Sequence, residues 1–268
     1  MSVIMWLRCG PPCPATTSPE GLVVPVLLHL PVSVSEAQEC LAEGAIPIGG
    51  ATLVWATWQR DGFPEQAMSL RRLPEANVIG REELGAAVML HQIDERVPEV
   101  LRRAAATVGT GAVRRTATVG GNLVGSTLRC LLPAALVLNA GAVVLESDGV
   151  RETDLAEVLA KRHLLLGLRW REPIASAYRK EAGEAGGPPP FVVAAAVHAD
   201  GVRQLRHLRV AVRDGYDVLD DSVPYDTGAD ADQVVDLLRD TALGTLHSPG
   251  RAVVRRHVRE LLAGLAPR

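Results

Sequence analysis

Two glycine doublets, Gly49-Gly50 and Gly120-Gly121, each stand directly after a short apolar segment and before a stretch of helical periodicity. A residue without a Cβ lets the chain turn sharply with its N–H groups facing outward, and the following helix points the positive end of its dipole at the turn. Each doublet is therefore a candidate phosphate cradle, and two cradles suit one diphosphate. An ordinary strand-to-helix turn has the same pattern, so the glycines alone leave both readings open. Neither doublet extends to G-x-G-x-x-G, and no G-x-x-x-x-G-K-[ST] loop is present.

Around the doublets, strand and helix alternate to about residue 160. Residues 23–29 read as a strand ended by Pro31, and Ser33 or Ser35 caps a helix through Ala37, Cys40 and Leu41. Residues 45–48 read as a short buried strand and 53–59 as a helix. Residues 77–79 and 84–89 are expected as strands, and 94–109 hold a helix with Pro98 in its first turn. An apolar helix follows at 131–138, then a strand at 142–145 with a tight turn at Asp148-Gly149. The second half changes character. Beyond a Gly-Pro loop at 185–190, the apolar runs 191–199 and 205–212 form a meander on which His198 and His207 could face one another. Asp217, Asp220, Asp221, Asp226, Asp230 and Asp232 read as a solvated acidic loop. Helices at 232–243 and 249–265, the latter capped by Ser248, close the chain. Residues 1–20 carry four prolines without periodicity and read as an irregular extension.

Composition excludes several classes of function. A formal charge of −3 over 268 residues gives no basic surface for nucleic acid. The apolar run at 22–28 is interrupted by Pro25 and is far short of the roughly 20 residues that span a bilayer. A secretory signal is not apparent in the first residues, so the expected location is cytoplasmic. Cys9, Cys13, Cys40 and Cys130 are too sparse for a disulfide framework. The seven histidines include no H-E-x-x-H pair, so no metal site is expected. No serine lies in G-x-S-x-G.

The run Ala105-Ala106-Thr107-Val108-Gly109, with Val113-Arg114-Arg115-Thr116-Ala117-Thr118-Val119-Gly120-Gly121-Asn122, resembles the "iG…qvRn.gTiGGN" signature of the FAD-binding subunits of molybdenum hydroxylases. These are the medium subunit of carbon monoxide dehydrogenase and the flavin domain of xanthine dehydrogenase. Other segments match in the same order. Pro31-Val32-Ser33 with Glu36-Ala37 resembles "P.s..EA", and Ile46-Pro47-Ile48-Gly49-Gly50-Ala51-Thr52-Leu53 resembles "lAGGtdL". Leu84-Gly85-Ala86 is similar to "iGA", and Pro133-Ala134-Ala135-Leu136 with Asn139-Ala140 to "paLlaLdA". The resemblance covers roughly residues 23–265 and is most specific at the second glycine loop. It implies an α+β fold: a two-lobed FAD-binding domain of the PCMH type over 21–160, with lobes at about 21–80 and 81–160. A small C-terminal α+β domain, an antiparallel sheet with helices, follows over 161–268. By the same resemblance, the cofactor is FAD. The backbone of Gly49, Gly50, Ala51, Thr52 and Leu53 and of Thr118, Gly120, Gly121 and Asn122 would hold its diphosphate, with the Thr118 hydroxyl as a further donor. Tyr178 and Lys180 would lie near the flavin ring.

Two departures stand out. Ala51 replaces the hydroxyl residue usual after the first doublet, and Arg129-Cys130 occupies the place of the family's "sD", so a carboxylate that helps orient the cofactor is missing. Arg129 could instead meet a phosphate. Trp55 and Trp58 could stack on an adenine or flavin, or pack in the core. Cys130, at a helix start, is either a reactive or a buried structural thiol. The implied function is an FAD-dependent oxidoreductase, the flavoprotein subunit of a molybdenum-hydroxylase-like complex that passes electrons through FAD. The expected partners are molybdenum and iron–sulfur subunits, or a second copy of the chain, with a small-molecule substrate. One alternative is a stand-alone flavin oxidase or dehydrogenase acting on a small biosynthetic intermediate. Another is a family member that kept the fold and lost the flavin.

Overall fold

Among the described residues, three four-stranded sheets follow one another along the chain. The computed structural model describes residues 2–5, 26–184, 186–201 and 204–265, with side chains from residue 26 onward. The first lobe contains β1 (Ser2–Met5), β2 (Val26–His29), α1 (Val34–Ala42), β3 (Ile46–Ile48), α2 (Val54–Asp61) and β4 (Gln66–Ser69). Its sheet has the order β1-β2-β4-β3, in which β2 and β3 run parallel to β4 and β1 runs antiparallel to β2. The extension expected to be irregular thus supplies an edge strand at residues 2–5, while 6–20, with Cys9 and Cys13, lie outside the described residues. Ser33 caps α1, its hydroxyl accepting from the Glu36 N–H at 3.2 Å. The segment expected to be a buried strand at 45–48 is instead an exposed edge. Among the described residues β3 pairs only with β4, which leaves Ile46 45% exposed at an edge that Pro47, without an N–H, tolerates.

The second lobe contains β5 (Glu83–Gly85), α3 (Glu99–Ala106), α4 (Gly111–Arg114), α5 (Leu132–Val137), β6 (Gly141–Glu146), β7 (Gly149–Asp154), α6 (Leu155–Lys161) and β8 (Leu164–Arg169). Its strands pair antiparallel in the order β5-β8-β6-β7. Because β8 pairs with both β5 and β6, this lobe runs through Arg169 and does not stop at 160. The strand expected at 77–79 is absent. The Asn77 side-chain amide donates to the carbonyls of Leu70 and Leu73 at 3.1 and 2.7 Å, tying the chain to a short 3-10 turn, and only Ile79 bridges to Leu84. The strand expected at 84–89 ends at Gly85. Ala37, Cys40, Met68 and Leu73 of the first lobe pack with Leu145 and Leu166 of the second, which joins the lobes through apolar burial.

The C-terminal unit is a meander of β9 (Ala175–Lys180), β10 (Val192–Ala199), β11 (Leu205–Asp214) and β12 (Asp217–Asp226), followed by α7 (Ala231–Leu237) and α8 (Ser248–Ala263). Strand β10 is apolar on both faces because both are covered. Val192, Ala194 and Ala196 join the core of α3 and α5, while Val193, Ala195 and Val197 pack with residues of α7 and α8. The acidic stretch is largely this fourth strand and not a loop. Leu219, Val223 and Tyr225 fall on one face of β12 at even spacing, with Asp221 interrupting the apolar series and masking the pattern. The helix expected at 232–243 ends at Leu237 and continues as 3-10 turns, since Thr241 is extended and its hydroxyl donates to the Leu238 carbonyl at 2.8 Å. His247, not Ser248, is the N-cap of α8.

His198 and His207 are register partners, but each has its own anchor. His198 Nε2 meets the Val137 carbonyl at 2.7 Å and His207 Nε2 meets Asp200 at 3.1 Å. Burial holds His198 and His257 below the ordinary imidazole value of 6.5. The unfolded chain therefore binds protons before the folded one does, and this stability is complete above 6.5 and lost as the pH falls through the folded values. A lower unfolding midpoint at about pH 5.5 than at about pH 7.5, with the difference reduced by His198→Gln, is the expected result.

Candidate functional site

The first glycine loop joins β3 to α2 through residues 49–53. Ala51 sits at φ +55, in the left-handed region that a residue with a Cβ seldom adopts. Among the described residues, the N–H groups of Gly49, Gly50, Ala51, Thr52 and Leu53 have no protein acceptor. Helix α2 begins directly after them with no capping side chain and no acidic residue in its first turn. Five free donors at the positive end of a helix are what an anion requires. Glycine would relieve the left-handed conformation, so Ala51→Gly is expected to raise the unfolding free energy by up to about 1 kcal/mol, read by urea denaturation.

The second doublet is arranged differently: Gly120 lies in the right-handed helical region and Gly121–Gly125 form a single π-helical turn. Its N–H groups are consumed within the protein: Val119 donates to the Val88 carbonyl at 3.0 Å, Gly120 to Ala86 at 2.8 Å and Asn122 to Thr118 at 2.9 Å. Gly121 donates to Thr118 Oγ1 at 3.1 Å, which leaves the hydroxyl proton of Thr118 available to a ligand. The amides of Gly120, Gly121 and Asn122 are thus not the free donors the sequence suggested. The glycines serve close approach instead. A Cβ at Gly49 would collide with Thr118 Oγ1, and one at Gly50 with the Thr116 carbonyl, so the two loops abut. The buried Asn122 side chain accepts from the Leu131 N–H at 2.9 Å and fixes the start of α5.

Tyr178 and Lys180 both point to Thr107, just beyond α3. The Tyr178 hydroxyl lies 3.2 Å from Thr107 Oγ1, and Lys180 Nζ donates to the Thr107 carbonyl at 3.1 Å. Thr107 spends its own proton on the Ala104 carbonyl, so Tyr178 is the donor in that pair. Burial raises the tyrosine pKa, which keeps the proton in place. Trp55 and Trp58 each meet Phe63 edge-on, with ring centroids 5.5 and 6.1 Å apart. Cys130 is half-buried, and its sulfur receives Arg213 Nη1 at 3.5 Å. Arg213 escaped the sequence reading because an arginine at the end of an alternating strand has the same pattern whether it faces solvent or the core.

The sequence model of the family described as the FAD-binding domain in molybdopterin dehydrogenase matches residues 24–165. This chain belongs to that family. Membership makes FAD its cofactor and oxidoreduction its class of chemistry, and the free amides and close-packed glycines of the two loops fit a bound diphosphate. The fold of this FAD-binding protein is similar to that of two solved structures. The quinoline 2-oxidoreductase of Pseudomonas putida 86 aligns with a TM-score of 0.59 at 17% identity, over 88% of this chain and 95% of that one. The Cu,Mo-CO dehydrogenase in its cyanide-inactivated form aligns with a TM-score of 0.62 at 16% identity, over 88% and 96%. No curated protein matches in sequence. Among the described residues, no helix is long and apolar enough to cross a membrane, and no three His, Cys, Asp or Glu side chains gather as metal ligands.

Proposed function

We propose that this protein is the flavoprotein subunit of a molybdenum-hydroxylase-like complex, passing electrons through FAD between partner subunits and a final acceptor. The observation that carries the reading is the set of unpaired N–H groups over residues 49–53 at the uncapped start of α2, within a chain of this family. The Thr118 hydroxyl adds a donor from the facing loop, and Gly120, Gly121 and Asn122 form the wall against which the first loop closes. When bound, FAD supplies the electron-accepting and electron-donating chemistry, and the protein positions it. Tyr178 and Lys180, fixed through Thr107, border the ring, the first holding its proton through burial and the second adding positive charge. Of the four cysteines in this sequence, Cys40 is buried in the first lobe and Cys130 lies beside α5, so no cluster of thiolates is available to an iron–sulfur centre from these two. That supports iron–sulfur and molybdenum chemistry residing on partner subunits, with a small molecule as the substrate.

The test is the visible absorption spectrum of the purified protein, with identification of any cofactor released on denaturation. Flavin bands with released FAD, and co-purification of molybdenum- and iron–sulfur-bearing chains, are the expected outcome. A colourless protein that takes up no added FAD would overturn the reading. Flavin reduced by a small molecule in the isolated chain would move it to a stand-alone flavin enzyme.

A further inference from the structure

Arg213 lies on β11 with only 2% of its surface exposed. Its guanidinium donates from Nη1 to the Leu128 carbonyl at 3.3 Å and toward Cys130 Sγ at 3.5 Å, and from Nη2 to the Pro190 carbonyl at 3.2 Å, while Nε has no partner. Among the described residues no carboxylate pairs with it, and a guanidinium keeps its charge at any working pH. A buried cation held only by neutral acceptors is strongly unfavourable unless a counter-charge arrives. The segment 128–130 that wraps it carries a second cation. Arg129 sits at φ +41, and its Nε is likewise buried without a partner. Lys180 and Arg213 are both register partners of Val192, so they share one face of the sheet about two strand spacings, roughly 10 Å, apart. That face packs on α3 and α5 of the second lobe.

We propose that Arg213 and Arg129 form a receptor for an oxyanion, the carboxylate or phosphate group of a small molecule seated between the second lobe and the C-terminal sheet. Two or three oxygens carrying one or two negative charges satisfy both unused Nε donors and neutralise the buried guanidinium, as a monatomic ion does not. The argument rests on these two arginines and stands apart from the flavin reading.

The full chain, titrated with sodium acetate and with inorganic phosphate against sodium chloride at equal ionic strength, tests it through the thermal unfolding midpoint. A saturable rise of about 3–5 °C at about ten times Kd is expected for acetate or phosphate. The rise disappears in R213Q and in R129Q and persists in R96Q, whose arginine is exposed and paired with Asp94. If R213Q does not fold, R129Q, at a less buried position, carries the test. Repeating the titration with FAD separates the sources. A response kept in the flavin-loaded protein assigns the site to a substrate anion, and one removed by FAD assigns it to a cofactor phosphate. Identical midpoints in all three salts, or an unchanged response in both variants, would overturn the proposal. Flavin retention, followed by fluorescence on the same samples, reports loss of FAD binding independently.

Discussion

Replacing Gly50 by alanine is expected to lower the unfolding free energy by about 3 kcal/mol and to weaken FAD retention at least tenfold. The added methyl would overlap the carbonyl of Thr116, with the backbone of Ala117 directly behind it. No rotamer change can relieve a collision with backbone, so one loop must move away from the other. That movement separates the free N–H groups of residues 49–53 from the Thr118 hydroxyl, and an anion that needs both loses part of its shell. Gly125→Ala supplies the control. No heavy atom lies within 4 Å of a Cβ built there, and the change is expected to stay within about 0.5 kcal/mol of the wild type. Urea unfolding and flavin fluorescence on both variants make the comparison, and a Gly50→Ala protein as stable as Gly125→Ala would contradict the close packing of the two loops.

The contrast between Gly50 and Gly125 also shows how far this site was legible in the sequence. Glycine doublets after apolar segments marked a place where backbones approach closely, since Gly49 and Gly50 leave no room for a Cβ, but the second doublet opens a helical turn and not a sharp loop. Which loop has N–H groups to spare was not legible. It depends on whether Val88 and Ala86 offer carbonyls to the second loop, a long-range pairing with no local pattern. The same division runs through the fold. Apolar runs with covered faces, such as β10, were visible as elements, and so was the cap of α1 at Ser33. Strand β12 was obscured because its aspartates carry the composition of a loop while Leu219, Val223 and Tyr225 carry the period of a strand. The strand expected at 77–79 failed for the opposite reason. Its residues suit a strand, but the Asn77 side chain is spent on two carbonyls of the preceding turns. Arg213 shows the limit most clearly, since burial of a charge is a tertiary fact.

Asn122→Ala is expected to cost about 2–4 kcal/mol, although the residue lies on a glycine loop whose sequence suggests a cofactor role. Its Oδ1 accepts the N–H of Leu131, a residue with no exposed surface at the start of a helix that has no capping side chain. Alanine leaves that N–H buried without an acceptor and opens a small void beside it. Asn122→Asp keeps an accepting oxygen in place and is expected to fall between alanine and the wild type in urea unfolding. The residue also links the second glycine loop to the turn that carries Arg129 and Cys130, so the effect extends beyond stability. A loosened α5 start releases the 128–130 segment from Arg213, and the oxyanion-dependent rise in unfolding midpoint should shrink in Asn122→Ala while remaining in Asn122→Asp. Equal stability of all three proteins would mean that the Leu131 N–H finds another acceptor and that the glycine loop and the arginine pair are mechanically independent.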